Sequence, residues 1–374
     1  MFKIPVSAPN LDESDALAVA DCVRSGWISR YAPVVAEFET KFAKYCGCRY
    51  GVSTCSASTA LDLALQTLNI GKGDEVIIPT FTMVATGNAV LHVGATPVLV
   101  DCQPDTWCID IDQADRKVTE KTQAIIPVHI YGHLCDMPKL FDFHFKHCLP
   151  VIEDAAEVHG STYGYTKAGV LNEMAVYSFF ANKNMTTGEG GMIVTNDYSY
   201  AAKAQKLKAN AFGEGKNHFL HDSVANTICM SAMQAALGLS QLQRLDQFVE
   251  LKRRHAYAYN AYLKDLADDG LIVLPVEKQG YKNTYWMYSI LITEKFGMSR
   301  DELIEALAKD GVETRTFFIP LHKQPCFKKY AEGQSFPIAD HISETGLNLP
   351  SSSKLTLEEI KYICECIYKH ARKR

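Results

Sequence analysis

Two hydrophobic rhythms alternate along the chain between Thr59 and about Thr195. Thr59–Asn69 (TALDLALQTLN) spaces its apolar residues three and four apart, the rhythm of a helix with one buried face. Glu75–Pro79 and Pro97–Asp101 are short β-branched runs bounded by turn residues. Ala124–Ile130 (AIIPVHI) and Leu149–Glu153 (LPVIE) repeat that pattern, and Ala175–Phe180 and Met192–Thr195 add two more strands. Strands separated by helices predict an α/β fold with a mainly parallel sheet covered on both faces. A long helical stretch, Met230–Tyr262, follows and leads to a second, α+β region with a strand at Tyr285–Thr293. That region continues through helices at Arg300–Asp310 and Leu357–His370. The division falls near residue 245, giving a large domain over 1–245, with the N-terminal segment, and a small one over 246–374.

Composition narrows the function classes. The 374 residues are 47% hydrophobic and 22% charged, ordinary for a globular protein that buries a large core. A net charge of -5 offers no basic face for nucleic acid. The opening MFKIPVSAPNLDESDAL has no basic region followed by an apolar run, and Pro79, Gly87, Gly94 and Pro97 interrupt the most apolar stretch. The expectation is a cytoplasmic protein with no membrane contact. Twelve cysteines include C-x-C pairs at Cys46/Cys48 and Cys364/Cys366 but no C-x2-C pair, so reduced thiols and no metal site are expected.

Three segments could carry chemistry. In VIEDAAEVHG, a buried strand delivers Asp154 at its C-terminal end, where open α/β sheets bind ligands. That aspartate could cap a helix or keep a ring nitrogen protonated. In STCSASTALDLAL, small hydroxylic residues precede a helix whose exposed N–H groups would hold an anion; capping by Ser56 or Ser58 is the plainer reading. In SFFANKNMTTGEGG, Lys183 sits between an apolar run and a glycine-rich turn, where desolvation would make its amine a nucleophile toward carbonyls. A phosphate-binding helix start, an aspartate for a pyridinium nitrogen and a Schiff-base lysine, in that order, are what pyridoxal phosphate (PLP) needs.

The segments GDEVIIPTFTMVATGNAV, AIIPVHIYGHLCDM, VIEDAAE, YSFFANKNMTTGEGGMIVTND, MQAALGLSQL, TYWMYSI, TRTFFIPLH and LNLPSS span nearly the whole chain. Through them the sequence resembles the PLP-dependent sugar aminotransferases of the DegT/DnrJ/EryC1/StrS family. Within that family, TYWMYSI, TRTFFIPLHKQP and FPIADHISETGLNLPSS are most similar to GDP-perosamine synthases. The resemblance implies the type I, aspartate-aminotransferase fold: a large domain with a mainly parallel seven-stranded sheet and a smaller C-terminal α+β domain. It implies that Lys183 forms the Schiff base and moves the proton, and that Asp154 bonds the pyridine nitrogen. Glu157 would lie near the ring hydroxyl, and Ala57, Ser58 and Ser178 would hold the phosphate. Met83 stands where many members stack an aromatic ring on the cofactor, and His159 and Glu189 read as structural residues.

The resemblance also implies a homodimer with the site at the subunit interface, L-glutamate as amino donor and a keto-sugar as acceptor, in surface polysaccharide or lipopolysaccharide synthesis. The family's G-Y-N-Y-R-M segment reads Ala225-Asn226-Thr227-Ile228-Cys229-Met230 here. Asn226 or Thr227 would reach the neighbouring subunit's phosphate, and Cys229 replaces an arginine, removing a cation and a bidentate donor. Two acceptors stay open: a nucleotide sugar such as GDP-4-keto-6-deoxymannose, or a carrier-free sugar acid such as 8-oxo-3-deoxy-octulosonate. Arg315, His322 and Lys323 would meet the carboxylate of the second; a surface ion pair is the other reading of Arg315. A PLP-binding regulator without turnover is the rival of another class.

Overall fold

The computed structural model describes residues 3–213 and 215–371. Seven strands build the large sheet, in the order Thr96–Val100, Glu75–Pro79, Thr122–Ile125, Ile152–Asp154, Met174–Ser178, Gly191–Thr195, Tyr50–Thr54. Only Gly191–Thr195 runs against its neighbours. The sheet's middle seam is sparse, and Pro127 is the reason. The pattern AIIPVHI predicts one strand to Ile130, but proline has no N–H for the ladder. Regular pairing stops at Ile125 and resumes as single bridges, Ile125 to Val151 and Val128 to Asp154. Asp154 N–H donates to the Pro127 carbonyl at 2.9 Å, so the seam closes at the residue that matters for the site.

Helices cover both faces, as burial of the strands on two sides requires. Ile77, Ile125, Ile152, Val176 and Ile193 are fully buried. The long helix expected over Met230–Tyr262 is two helices, Ala232–Leu242 and Leu245–Asp268. The first opens with a reciprocal Ser231/Gln234 capping box, and Arg244 breaks the run at φ -111°, ψ 1° while its guanidinium reaches Asp15 at 2.6 Å.

A second core gathers Tyr259, Leu263, Tyr288, Ile290, Leu303, Leu347 and Ile363. It lies against an antiparallel sheet ordered Ile272–Val273, Tyr288–Ile292, Gly346–Leu349, Arg315–Thr316. Ile4 bridges to Val312 and joins this second core, so the start of the chain packs with the C-terminal part. Trp286 and Phe317 belong instead to the first core, which locks the two parts together beside the site. Among the described residues no helix is long and apolar enough to cross a membrane, and no cluster of His, Cys, Asp and Glu is placed to hold a metal.

Candidate active site

A cavity of about 360 Å³ opens where the Ile152–Asp154 and Met174–Ser178 strands end, and Asp154, Glu157, Lys183, Trp286 and Arg315 all line it. Asp154 is the last residue of its strand and caps no helix; the chain turns instead and next forms a strand at Thr162–Tyr163. Its Oδ2 accepts from Thr86 Oγ1 at 2.8 Å and its Oδ1 from Ala156 N–H at 3.2 Å. Burial pushes the carboxyl's pKa up, against the Thr86 and Ala156 hydrogen bonds and the nearby Lys183 charge. A cationic partner in the cavity would therefore find a carboxylate with little water to displace.

Lys183 lies in the turn after the Met174–Ser178 strand, its N–H donating to the Phe180 carbonyl at 2.9 Å. Its Nζ stands 3.8 Å from Glu157 Oε1 and 3.6 Å from the centroid of the Trp286 ring. Burial lowers the amine's pKa, helped by Arg315 and opposed by Glu157 and Asp154. Glu157, buried and accepting from Tyr131 N–H at 2.7 Å, is pushed up by its own desolvation. Desolvation, against the pull of Glu157, is thus what moves Lys183 toward the free amine that a nucleophile needs.

The far wall is the start of the Ala57–Thr67 helix. Ser56 caps it by accepting Thr59 N–H at 3.2 Å, which leaves the first-turn N–H groups of Ala57 and Ser58 without intrahelical partners. Ser178 lines the cavity at the same end, its Oγ accepting Phe180 N–H at 3.3 Å. Gly191 lets the antiparallel strand pass against this helix start: a Cβ there would meet Ser56 O at 2.4 Å and Ala57 N at 2.6 Å. The last glycine of TTGEGG thus shapes the helix-start wall.

The other candidate residues divide. Met83 is 52% exposed at the cavity wall. Arg315 lines the cavity and makes no salt bridge or hydrogen bond among the described residues, so the surface-pair reading has no partner. His322 and Lys323 are not brought to the cavity. His322 is held between Thr80 Oγ1 and Asp340 Oδ1, each at 2.8 Å, and Lys323 pairs with Asp340 and Glu344. This small network holds both side chains away from the residues that line this chain's cavity. Asn226 and Thr227 are exposed and do not line this chain's cavity; the Asn226 carbonyl accepts Asn210 N–H at 3.1 Å. Glu189 lines the cavity, with its carbonyl accepting from Gln234 Nε2 at 2.7 Å.

Sequence reasoning missed three residues. Trp286 donates its indole N–H to the Asn182 carbonyl at 2.8 Å and faces Lys183. Its signal was the TYWMYSI segment. Thr86 is one of several hydroxyls in TFTMVAT, and only the fold shows that it meets Asp154. Arg30 was also unmarked. Its Nη1 lies 3.4 Å from the Cys229 sulfur, with the guanidinium over the rings of Tyr31 and Phe212.

The model of the DegT/DnrJ/EryC1/StrS aminotransferase family matches residues 9–368. A GDP-perosamine synthase of Vibrio cholerae is 36% identical, with 97% of this chain and 98% of that protein aligned. One from Escherichia coli O157:H7 is 38% identical over 98% of each chain. Among solved structures, a Streptococcus pneumoniae protein described as a sugar aminotransferase, in its PLP form, superposes with a TM-score of 0.91. It is 29% identical, over 98% of both chains.

Proposed function

The chain belongs to the DegT/DnrJ/EryC1/StrS aminotransferase family and is a PLP-dependent sugar aminotransferase, and on that premise we propose that it moves the amino group of L-glutamate to the keto group of a GDP-4-keto-6-deoxymannose-like nucleotide sugar. The carrying observation is that the Lys183 amine and the Asp154 carboxylate open into one cavity whose far wall is a helix start.

The residues fit the cofactor. Asp154 would hold a proton on the ring nitrogen, its carboxylate kept charged by Thr86 and Ala156. Ala57 and Ser58 would offer backbone N–H groups, and Ser178 a hydroxyl, to the phosphate. Glu157 would face the ring hydroxyl, and Met83 would pack on the ring face as a soft thioether. Bound PLP supplies the electron sink that lets an amino group leave one carbon and arrive at another. Lys183 would hold the cofactor through its amine and, when that amine is free, would move the proton at the substrate carbon. Trp286 confines that amine to the cavity, and Arg315 is available for the carboxylate that the donor brings.

Two observations favour the nucleotide-linked acceptor over a carrier-free sugar acid. The aligned relatives above include GDP-perosamine synthases at 36% and 38% identity. Arg30 also returns a guanidinium to the thiol of Cys229, where the family's arginine is missing, which supports a phosphate-bearing ligand there. The exposure of Asn226 and Thr227 supports a site completed by a second copy of the chain. The test is to load the enzyme with glutamate, measure 2-oxoglutarate release, and then offer a panel of keto-sugars. Return of the lysine-bound cofactor spectrum with the GDP-linked sugar and not with the sugar acid is the expected result. Recovery with the sugar acid alone overturns the nucleotide reading, and no release of 2-oxoglutarate overturns glutamate as the donor.

A further inference from the structure

A second lysine is buried next to the site without lining it. Lys252, on the Leu245–Asp268 helix, is 6% exposed. Its ammonium donates to two backbone carbonyls, Trp286 O at 2.9 Å and Ser351 O at 2.6 Å, and it pairs with no carboxylate among the described residues. A buried cation without a counterion is costly, and two carbonyl dipoles return only part of that cost. A neutral side chain would fill the space more cheaply, so the position of the charge calls for a reason.

The reason lies in what Lys252 holds. Trp286 is fixed at two points: its indole N–H donates to Asn182 O, the residue before Lys183, and its own carbonyl accepts from Lys252. Between those anchors the ring presents its face to Lys183 Nζ at 3.6 Å. We propose that Lys252 is a positioning residue for the reaction: it ties the long helix to the Trp286 carbonyl and so seats the indole that holds the Lys183 amine. The Ser351 bond anchors the same ammonium to the chain just past the Gly346–Leu349 strand.

Charge accompanies the contact. Burial and the Lys183 charge together push the Lys252 amine down to about 7, and the repulsion between two cations acts on both. On Lys252's own helix Arg254 carries positive charge, and burial together with Lys252 and Arg254 pushes the His255 imidazole down, toward its neutral form, while Glu157, Asp154 and Arg315 face Lys183 from the cavity. Removing the Lys252 charge therefore lets Lys183 keep its proton to higher pH.

The inference rests on Lys183 being the reactive amine. The holoenzyme is compared with Lys252→Met, Lys252→Gln and Lys252→Arg, each after borohydride trapping has identified the lysine that carries the cofactor. With the adduct on Lys183, Lys252→Met and Lys252→Gln should raise the pH midpoint of the lysine-bound cofactor band by about one unit, roughly a tenfold change in proton affinity. Lys252→Arg should stay near the parent. Turnover should fall by up to about 100-fold in the Met variant, the scale of a misplaced catalytic group. In a Trp286→Phe background the same change should cost little more, because the two residues act as one unit. An unmoved midpoint in both neutral variants, or a full additive loss in the Trp286→Phe background, overturns the Lys252 inference. An adduct on another lysine overturns the Lys183 reading instead. Should Lys252→Met not fold, the Gln and Arg variants decide the matter, since one keeps donors without charge and the other keeps charge.

Discussion

Thr86 Oγ1 donates to Asp154 Oδ2 at 2.8 Å, so a hydroxyl 68 residues upstream stabilises the ionised form of the carboxylate placed for the ring nitrogen. Burial works the other way on Asp154. With Thr86→Val only the Ala156 N–H bond remains, and the carboxyl's pKa should rise further. A hydrogen bond to a charged group contributes about 1.5–3 kcal/mol, so PLP should bind roughly 10- to 100-fold more weakly. Equilibrium dialysis of the cofactor measures this. Thr86→Ser should recover most of the loss, and unchanged retention in the valine variant would remove Thr86 from the site.

Lys183→Ala should leave a folded protein that still takes up PLP, since Asp154 and the helix start are untouched, but that yields no pyridoxyl adduct after borohydride. Turnover should drop by at least about 10³-fold, because the nucleophile and the proton carrier are lost together. Peptide mapping by mass spectrometry reads the first outcome. An adduct that persists on another lysine would disprove the assignment.

Much of this site is legible in the chain because its parts are local. The EDAAE and SFFANK segments each place a reactive residue just past a buried strand, and strand ends at a sheet's C-terminal edge converge in space. The hydrophobic rhythm likewise outlines six strands of the sheet, because strands buried on both faces read as short apolar runs, while the edge strand Tyr50–Thr54 is not among those runs. What the chain conceals is pairing over distance. Nothing near Thr86 announces Asp154, and nothing near Arg30 announces Cys229 199 residues later. The placing of His322 and Lys323 is hidden for the same reason: their partners, Asp340 and Glu344, lie on the Pro337–Thr345 helix, and only the fold brings them close.

Arg315 is a cation at the cavity with no ion pair to break among the described residues. Arg315→Gln should therefore leave thermal unfolding within about 0.5 kcal/mol of the parent, as for a surface change that removes no packed group. The KM for glutamate should rise by roughly 10-fold, the loss expected when one charge-assisted pair between the exposed guanidinium and the donor's carboxylate is removed. Stopped-flow measurement of the glutamate half-reaction separates donor binding from the sugar half-reaction. A loss confined to the sugar half-reaction would assign Arg315 to the acceptor instead.

Arg30 near Cys229 makes a specific swap testable. Arg30→Ala should raise the KM for a nucleotide-linked keto-sugar by about tenfold while sparing the glutamate half-reaction, the expected loss for one phosphate-pairing guanidinium. Adding Cys229→Arg to that variant should restore part of the affinity by placing the cation on the neighbouring segment. Should both variants bind the nucleotide sugar as the parent does, the relocated guanidinium takes no part in the carrier.

His159 is 1% exposed, packs against Phe42, Tyr177 and Phe179, and has no hydrogen-bond partner for either ring nitrogen among the described residues. Burial, reinforced by the Lys183 charge, pushes its imidazole down to about 3 from an ordinary 6.5. For a base whose folded value is depressed, the unfolded chain binds the extra proton first. Stability is then intact above pH 6.5 and is lost progressively as pH falls from 6.5 toward 3. His159→Phe removes both the titration and two unsatisfied polar atoms, so the slope of stability against pH in that window should fall by about one proton. Stability at pH 7 should hold or rise, and urea unfolding at several pH values measures both quantities. A phenylalanine variant with the parent's slope, and weakened at pH 7, would mean that the ring nitrogens are paired after all and that the acid sensitivity arises elsewhere.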